Sequence, residues 1–534
     1  MSTKRTKADI TIDAVFFAQT HVLQPGAPFF KLVGNKETLI KVHVLSPSES
    51  EAPSVEAELC LDGERLRIAL KGPSLLPKAI CLEPGKVVHC YKDSFTAMIP
   101  APWIKRGLEM TIHAGDLEHR VERLEIGPPL VLNMTMFDIH YFDYEDADYP
   151  DGWEEEIAVR RPLSEFNVQR MKRILFSELI IPPRANLPAV RITSTDDHMT
   201  KTGQPFNGKQ AAAIQWYNAL QIAGGQTRLT AFFVSIANVP AGGEAWNLGG
   251  TGSLSRFPVL NHEMGHVLNV DDLPCEGGYP YCGPMYGITK SNSEFHGGPT
   301  WRFDPRKGFI SPLLSEHTEH RGEWKKDPMG GGGRAEEPDE PIASFSDYSV
   351  RKMQEYLERH LAVWSEEKKA YLSWNHYTGT FFDVQKNDGI LFPIERDVEV
   401  YSIMVAVTAV TEEVNFIYEV IGPYRSGLID TFDPKVEEDR KRARKLSVAS
   451  WDISLRIEQG GVARTFMMPM AWRPDDDPLD RDSLQTRALN IPVRDGEITR
   501  AELLLTPEAD VNGLPSNPQV LYATTITRTE KADA

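Results

Sequence analysis

Residues 261–272 carry two histidines, a glutamate and an aspartate pair at spacings suited to metal-dependent hydrolysis. On a helix, His262 and His266 lie one turn apart on the same face, so both imidazoles can reach a single metal ion. Glu263 then lies beside that ion, where its carboxylate can take the proton of a metal-bound water. The spacing therefore predicts a zinc-dependent hydrolase.

A catalytic zinc site needs a third protein ligand and keeps one position open. In the metzincin pattern, His-Glu-x-x-His-x-x-Gly-x-x-His, a sharp turn after the helix brings that ligand from ten positions beyond the first histidine. Counting from His262 places Asn269 at the turn and Asp272 at the ligand position. Asparagine tolerates the left-handed conformation that ends a helix, and aspartate is an accepted oxygen ligand for zinc. Asp271, one residue short of this spacing, is interpreted as an outer or solvent-facing group.

Two other interpretations of the motif are weaker. The turn residue and the aspartate at the metzincin offsets argue against an accidental His-Glu-x-x-His on a surface helix. A gluzincin takes its third ligand from a glutamate on a later helix, whereas Met329 lies in an Asp-Pro-Met-Gly sequence at 327–330. A methionine in a tight turn beneath the ligands is the other half of the metzincin signature. Its thioether suits an apolar floor without binding the metal.

The composition limits the class of the chain and its partners. With 534 residues and 41% hydrophobic content, the sequence suits a folded protein of two to four domains. A net charge of -18 argues against nucleic acid or an anionic membrane surface as a partner, since both select for basic patches. No apolar run approaches the length of a transmembrane helix. Cys275 and Cys282 are close enough to bridge one loop, or they are two free thiols.

Hydrophobic patterning predicts an α+β multidomain chain with three regions. Period-two alternation and an Asp62-Gly63 hairpin turn predict an N-terminal β-sandwich over residues 1–128. Mixed helix and strand patterns predict the catalytic domain over 129–375. Strand patterns return after Asn375 and predict a C-terminal β-rich domain, a second β-sandwich, over 376–534.

Local patterns within the central region predict individual elements, namely helices over 163–179, 209–222 and 348–361 and strands over 190–193 and 229–236. Beyond Asp272, a long region rich in Gly and Pro contains His296, Trp301, His317 and His320. None of these histidines has ligand spacing, so we interpret them as surface residues.

Several of these motifs resemble those of the StcE-type secreted metzincins, the ToxR-regulated lipoprotein or mucinase group. The resemblance rests on Asn261–His266, on Gly298-Pro299-Thr300-Trp301 with Asp304 downstream, on Asp327–Gly331 and on Phe345–Tyr348. Weaker similarity at 16–19 and 32–35 extends the resemblance over most of the chain through about Asn375.

The resemblance implies a metzincin-like zinc protease domain flanked by the two β-sandwiches, with one catalytic zinc ion. It implies a metalloendopeptidase that acts outside the cell on O-glycosylated, mucin-like proteins. Trp301 is predicted to contact such a substrate, and Gly249-Gly250 to form an edge of the cleft or a plain loop. Two features depart from the family pattern. Its third ligand is usually histidine, where this chain has Asp272, and its members usually carry an export signal, which the first residues here do not show.

Alternatives to a glycoprotein-cleaving protease stay open at this point. A non-catalytic adhesin or glycan-binding module could keep the fold without turnover, but it would have no chemical need for Glu263. A general zinc protease would cleave chains that carry no glycan. A cytoplasmic location is the alternative to secretion because no export signal is recognised.

Overall fold

The computed structural model shows a multi-sheet, strand-rich chain with few helices. It describes residues 10–526 except 49, 81–88, 90, 144–146, 172, 185, 208–215, 217–218, 221–222, 225–229, 238–241, 247, 274–278, 282–296, 312–313, 331–339, 385–392, 447 and 474. No helix within these ranges is long and apolar enough to cross a bilayer. Two compact units are formed, one by Met1–Leu132, Pro150–Asn167 and Phe257–Asp383, the other by Asn133–Tyr149, Val168–Arg256 and Val384–Ala534.

The strands, in chain order, are β1 Thr11–Ala18, β2 Val22–Leu23, β3 Leu32–Gly34, β4 Thr38–Leu45, β5 Val55–Leu61, β6 Glu64–Ala69, β7 Phe95–Ile99, β8 Glu109–Ala114, β9 Leu117–Arg120, β10 Ile126–Pro129, β11 Val131–Tyr141, β12 Glu165–Arg170, β13 Ile174–Phe176, β14 Leu179–Ile181, β15 Val190–Ile192, β16 Ala231–Ile236, β17 Glu244–Trp246, β18 Gly249–Ser253, β19 Arg302–Asp304, β20 Phe309–Ser311, β21 Val363–Ser365, β22 Ala370–Asn375, β23 Thr380–Asp383, β24 Glu395–Thr408, β25 Phe416–Ile417, β26 Ile421–Ile429, β27 Ser450–Gln459, β28 Val462–Met470, β29 Leu484–Pro492, β30 Ile498–Leu505 and β31 Gln519–Thr525. The α-helices whose bounds lie within the described residues are α1 Trp153–Val159, α2 Thr195–Thr202, α3 Phe257–Val267, α4 Asp347–His360, α5 Glu437–Ala443 and α6 Ala509–Asn512. Short 3-10 helices cover Tyr91–Asp93, Ala101–Trp103, Glu412–Val414, Arg481–Ser483 and Val493–Asp495.

Two four-stranded antiparallel sheets of the first unit pack face to face around one core. Their strand orders are β2-β1-β4-β7 and β6-β5-β8-β9. Ile40 and Val42 of β4 are buried against Ala57 and Leu59 of β5, as expected of a sandwich. The two residues of the Asp62-Gly63 turn both have positive φ, which confirms the predicted hairpin between β5 and β6.

The opposite face of β4 is buried as well. Phe16 of β1 packs there against Phe303 and Ile310 of the β19-β20 hairpin. Lys41 and His43 lie on this face and are 1% and 0% exposed. A period-two pattern is typical of a strand with one solvated face. In β4, the β19-β20 hairpin covers the face that carries Lys41 and His43, so these polar residues are buried as well.

The histidine motif of the first unit lies on α3, and the predicted closing helix over 348–361 is confirmed as α4. Ser346 caps α4, because its Oγ accepts the amide of Ser349 at 3.2 Å. This unit also contains a three-stranded antiparallel sheet, in the order β21-β22-β23, and a parallel pair formed by β3 and β10.

The second unit contains a mixed sheet and a second sandwich. The mixed sheet has the order β12-β11-β16-β18-β17, with β13 beside β11. Strands β11, β16 and β18 are parallel, and β17 is an antiparallel edge strand. The sheets built on β24 and β27 share a core that includes Ile403, Val405, Ile453 and Leu455. The strands predicted over 190–193 and 229–236 are confirmed as β15 and β16.

The helix predicted over 163–179 is wrong, because this segment forms β12 and β13. Phe166 and Val168 alternate with polar residues, and Ile174 of β13 is the register partner of Ile139 in β11. Pairing with a neighbouring strand thus outweighs the local helix propensity. The helix predicted over 209–222 lies largely outside the described residues.

The buried histidines near β4 make the stability of the fold sensitive to acid. Burial, with the neighbouring charge of Lys41, lowers the pKa of His43 to about 3 and the pKa of His89 to about 3. The unfolded value is 6.5, so the unfolded chain binds more protons than the folded chain between these two pH values. Stability is therefore fully present above the unfolded pKa and is lost as the pH falls through this window.

We expect acidification from about pH 7 to about pH 5 to lower the free energy of unfolding by up to about 2 kcal/mol for each buried histidine. Thermal melts of His43→Gln should show a flatter dependence of Tm on pH than the wild type. His119 is exposed on β9, so His119→Gln is the matched control and should keep the wild-type slope. An unchanged slope in His43→Gln would contradict the assignment.

Candidate metal centre

His262, His266 and Asp272 come together at the end of α3, with their ligand atoms all within 4.8 Å of one another. Asp272 Oδ1 lies 3.4 Å from His262 Nε2 and 3.6 Å from His266 Nε2. Two ligands of a tetrahedral zinc ion are about 3.4 Å apart when each lies about 2.0–2.2 Å from the metal. The three side chains thus have the spacing of co-ligands on one ion, and the donor set fits zinc.

Both imidazoles are oriented through their other ring nitrogen. His262 Nδ1 donates to Pro328 O at 2.9 Å, and His266 Nδ1 donates to Val270 O at 2.8 Å. A carbonyl oxygen can only accept, so Nδ1 carries the proton and Nε2 keeps its lone pair on the side of Asp272. Hydrogen bonds of this kind orient histidines in metal sites. Burial and the neighbouring His262 lower the pKa of His266, which favours the neutral, ligating ring.

The turn that brings Asp272 back to the histidines is a Schellman helix end with Asn269 in the left-handed position, at φ 62°. Asn269 N donates to His266 O at 2.9 Å, and Val270 N donates to Gly265 O at 2.9 Å. These are the two hydrogen bonds that define the motif. Asparagine adopts this conformation at lower cost than other residues with a side chain, which accounts for its use here in place of glycine.

Asp271 and Asp272 face different partners. The Asp271 side chain is 87% exposed, and its Oδ2 lies 3.3 Å from Lys352 Nζ of α4. The Asp272 side chain is 73% exposed, and its Oδ1 faces the two imidazoles. The carboxylate that approaches the histidines is therefore that of Asp272. Its high exposure leaves this side of the site open to solvent.

Met329 lies directly beneath α3 and is 1% exposed. A Cβ atom placed on Gly265 would lie 2.3 Å from Met329 Sδ and 3.1 Å from Phe345 Cε1. Only glycine at this helical position leaves room for the thioether. Met329 and Phe345 thus form an apolar floor under the turn of helix that carries both histidines.

The turn around Met329 is held by Asp327, which is fully buried. Asp327 Oδ1 accepts the amide of Met329 at 2.9 Å. Its Oδ2 accepts the Ser346 amide at 2.8 Å and the Ser349 hydroxyl at 2.7 Å. Because Ser346 caps α4, this one carboxylate joins the methionine turn to the start of that helix.

Two carbonyls of the turn around Met329 accept hydrogen bonds from the segments that carry the candidate ligands. Pro328 O accepts from His262 Nδ1, and Met329 O accepts the amide of Leu273 at 3.1 Å. Leu273 directly follows Asp272, so the turn contacts the first of the three candidate ligands and the residue after the last. The Asp-Pro-Met-Gly motif is recognisable in the sequence, but nothing in the motif identifies Asp327 as the residue that holds the turn.

Glu263 lies in α3 between the two histidines and is 4% exposed. A buried carboxylate next to a metal ligand is the arrangement used in general-base catalysis on a metal-bound water. The position of Glu263 on the helix suits that chemistry.

The other residues singled out in the sequence lie elsewhere. Trp301 is partly buried and meets the His89 ring edge-on, with centroids 5.6 Å apart, so its contact with substrate stays a prediction. His317 and His320 stack with centroids 6.0 Å apart. Three residues lie outside the described part of the chain: Cys275, Cys282 and His296.

The chain is similar to several known proteins. It is 24% identical to dictomallein of Burkholderia pseudomallei, over 96% of this chain and 83% of that protein, and equally similar to dictomallein of Burkholderia mallei. It is 22% identical to dictomallein-2 of Dictyostelium discoideum, over 96% of each chain. A solved carbohydrate acetylesterase from Xanthomonas citri aligns with 93% of this chain and 98% of its own at 8% identity, but the TM-score of 0.16 is too low to indicate a shared fold.

A family match covers the part of the chain that contains α3 and the turn at Met329. The pattern of the family described as Peptidase M66 matches residues 85–362, just over half of the sequence. The match includes all three residues of the candidate metal centre and Glu263. The chain therefore belongs to the Peptidase M66 family of metallopeptidases.

Proposed function

We propose that this peptidase is a zinc metalloendopeptidase in which His262, His266 and Asp272 bind one zinc ion and Glu263 is the general base. The strongest support is the approach of Asp272 Oδ1 to both Nε2 atoms, at 3.4 and 3.6 Å. These distances exceed those of ordinary hydrogen bonds and match the separation of two ligands on one metal.

A bound zinc ion would supply an acidified water and a polarised peptide carbonyl. Glu263 accepts the proton of the attacking water as the water oxygen bonds to the carbonyl carbon. The same carboxyl group then delivers that proton to the departing nitrogen as the C–N bond breaks. His262 and His266 are kept in ligating orientation by their Nδ1 hydrogen bonds.

The proposed architecture is a metzincin-like domain over 129–375 between β-rich domains over 1–128 and 376–534. Two features support it. Asn269 ends α3 in the left-handed conformation at the offset where metzincins have glycine. Met329 lies under the helix that carries the histidines, as a methionine turn requires.

Glu263→Gln should keep its zinc but lose about 100- to 10,000-fold in turnover, because the amide can hold water and cannot accept its proton. Zinc content by elemental analysis and cleavage of a peptide library by mass spectrometry measure the two effects separately. Glu155→Gln, at an exposed position of α1, is the matched control and should behave as the wild type. Near wild-type turnover in Glu263→Gln would show that another group is the base.

We further propose that the substrates are extracellular proteins bearing O-linked glycans. The support is the resemblance of the motifs at Asn261–His266 and Asp327–Gly331 to those of the secreted mucinase group. The open, solvent-exposed side of the site at Asp272 is consistent with access by a chain carrying bulky sugars. A general protease that needs no glycan is the competing function.

Cleavage of a mucin-domain protein before and after enzymatic removal of its O-glycans distinguishes these functions. We expect the glycosylated form to be cut and the deglycosylated form to resist, because the sugars would form part of the recognised surface. Equal cleavage of both forms would keep the peptidase and remove the glycan requirement. Binding without cleavage by a zinc-loaded chain would favour the non-catalytic glycan-binding module.

A further inference from the structure

Arg161 is a fully buried arginine that follows α1. Its Nη1 donates to Ile157 O at 2.9 Å. Its Nη2 donates to both Asn261 O and Asn261 Oδ1, at 2.9 and 3.1 Å. In the described part of the chain, no carboxylate forms an ion pair with this guanidinium. One of the two terminal nitrogens of this buried guanidinium thus contacts Asn261, the residue that precedes His262.

Burying a guanidinium in this way is unfavourable. Burial, with the neighbouring charge of Arg160, lowers the pKa of Arg161 to about 9. Even a buried ion pair can often be replaced by well-packed apolar residues without loss of stability. Stability of the fold is therefore a weak reason for an arginine at this position. A guanidinium presents several N–H donors in a rigid fork, and this fork can hold a partner in a defined orientation.

Asn261 is held from two directions. Its carbonyl and Oδ1 accept from Arg161, and its Nδ2 donates to Ala343 O at 3.0 Å. The Arg161 guanidinium also lies over the Phe345 ring, with Cζ 5.0 Å from the centroid. Phe345 is part of the floor beneath Gly265. Arg161 therefore contacts α3 directly at Asn261. It also contacts Phe345, which lies beneath the next turn of the same helix.

We propose that Arg161 and Asn261 form a clamp that sets the rotation of α3 about its axis and so positions Glu263 and His262. This role rests on the proposed function, because it gives Glu263 and His262 their chemical tasks. A rotation of about 10° moves an atom about 6 Å from the axis by about 1 Å. A misplacement of about 1 Å can cost about 100-fold in rate. Arg161 and Asn261 are positioning residues that act through their neighbours.

Arg161→Met tests the clamp in the full-length chain, with zinc for activity and cobalt(II) as a spectroscopic probe. We expect kcat to fall about 10- to 100-fold while KM stays within about twofold, since the substrate contacts remain. The visible absorption of the cobalt-loaded chain should change because His262 shifts.

Arg160→Met is the matched control, since Arg160 is also buried but pairs with Glu156 and Glu340. It should lower Tm and leave kcat and the cobalt spectrum unchanged.

Asn261→Ala removes the other half of the clamp and keeps the test decisive if Arg161→Met does not fold. We expect Asn261→Ala to reproduce the fall in kcat. The double variant should lose no more kcat than the more impaired of the two single variants. Unchanged kcat and cobalt spectrum in Arg161→Met or Asn261→Ala, with an active wild type, would overturn the clamp and leave the proposed function intact. Losses that multiply in the double variant would also overturn it. A wild-type chain that binds no cobalt and cleaves nothing would overturn the proposed function and the clamp together.

Discussion

The hydrogen bonds of the buried Asp327 carboxylate are the interactions on which the candidate metal centre depends most. This carboxylate accepts three hydrogen bonds, from the Met329 amide, the Ser346 amide and the Ser349 hydroxyl. Leaving a buried donor without an acceptor costs about 1–3 kcal/mol, so these bonds strongly favour one conformation of the turn. That turn presents the carbonyl that orients His262 and the carbonyl that holds Leu273. Asp327, which is not one of the three candidate ligands, thus holds the turn that contacts His262 and Leu273.

The second constraint is local to α3. The helix geometry places His262 and His266 on one face, and the Schellman end at Asn269 reverses the chain so that Asp272 faces both. Gly265 leaves the space that Met329 fills. The site therefore combines a short segment with fixed local geometry and a distant turn that supports it from below. The role proposed for Glu263 requires both parts to keep these positions relative to each other.

The local part of this arrangement could be predicted from the sequence. Helical spacing and a left-handed turn at Asn269 fix the offsets of the candidate ligands within twelve consecutive residues, so the sequence pattern is enough to predict their geometry. The long-range part could not be predicted. The strands within 163–179 depend on pairing with β11, and the partners Arg161 and Asn261 are 100 residues apart. The burial of Lys41 depends on a second layer that covers β4.

The central claim is that Asp272, delivered by the Asn269 turn, completes the metal centre. Zinc content of Asp272→Ala and Asp271→Ala, measured by elemental analysis after reconstitution and dialysis, tests it directly. The two variants remove the same group from adjacent exposed positions, and only one of these carboxylates faces the histidines. The account predicts that Asp272→Ala loses its zinc while Asp271→Ala retains one ion per chain. Equal retention in both variants, or loss only in Asp271→Ala, would contradict it.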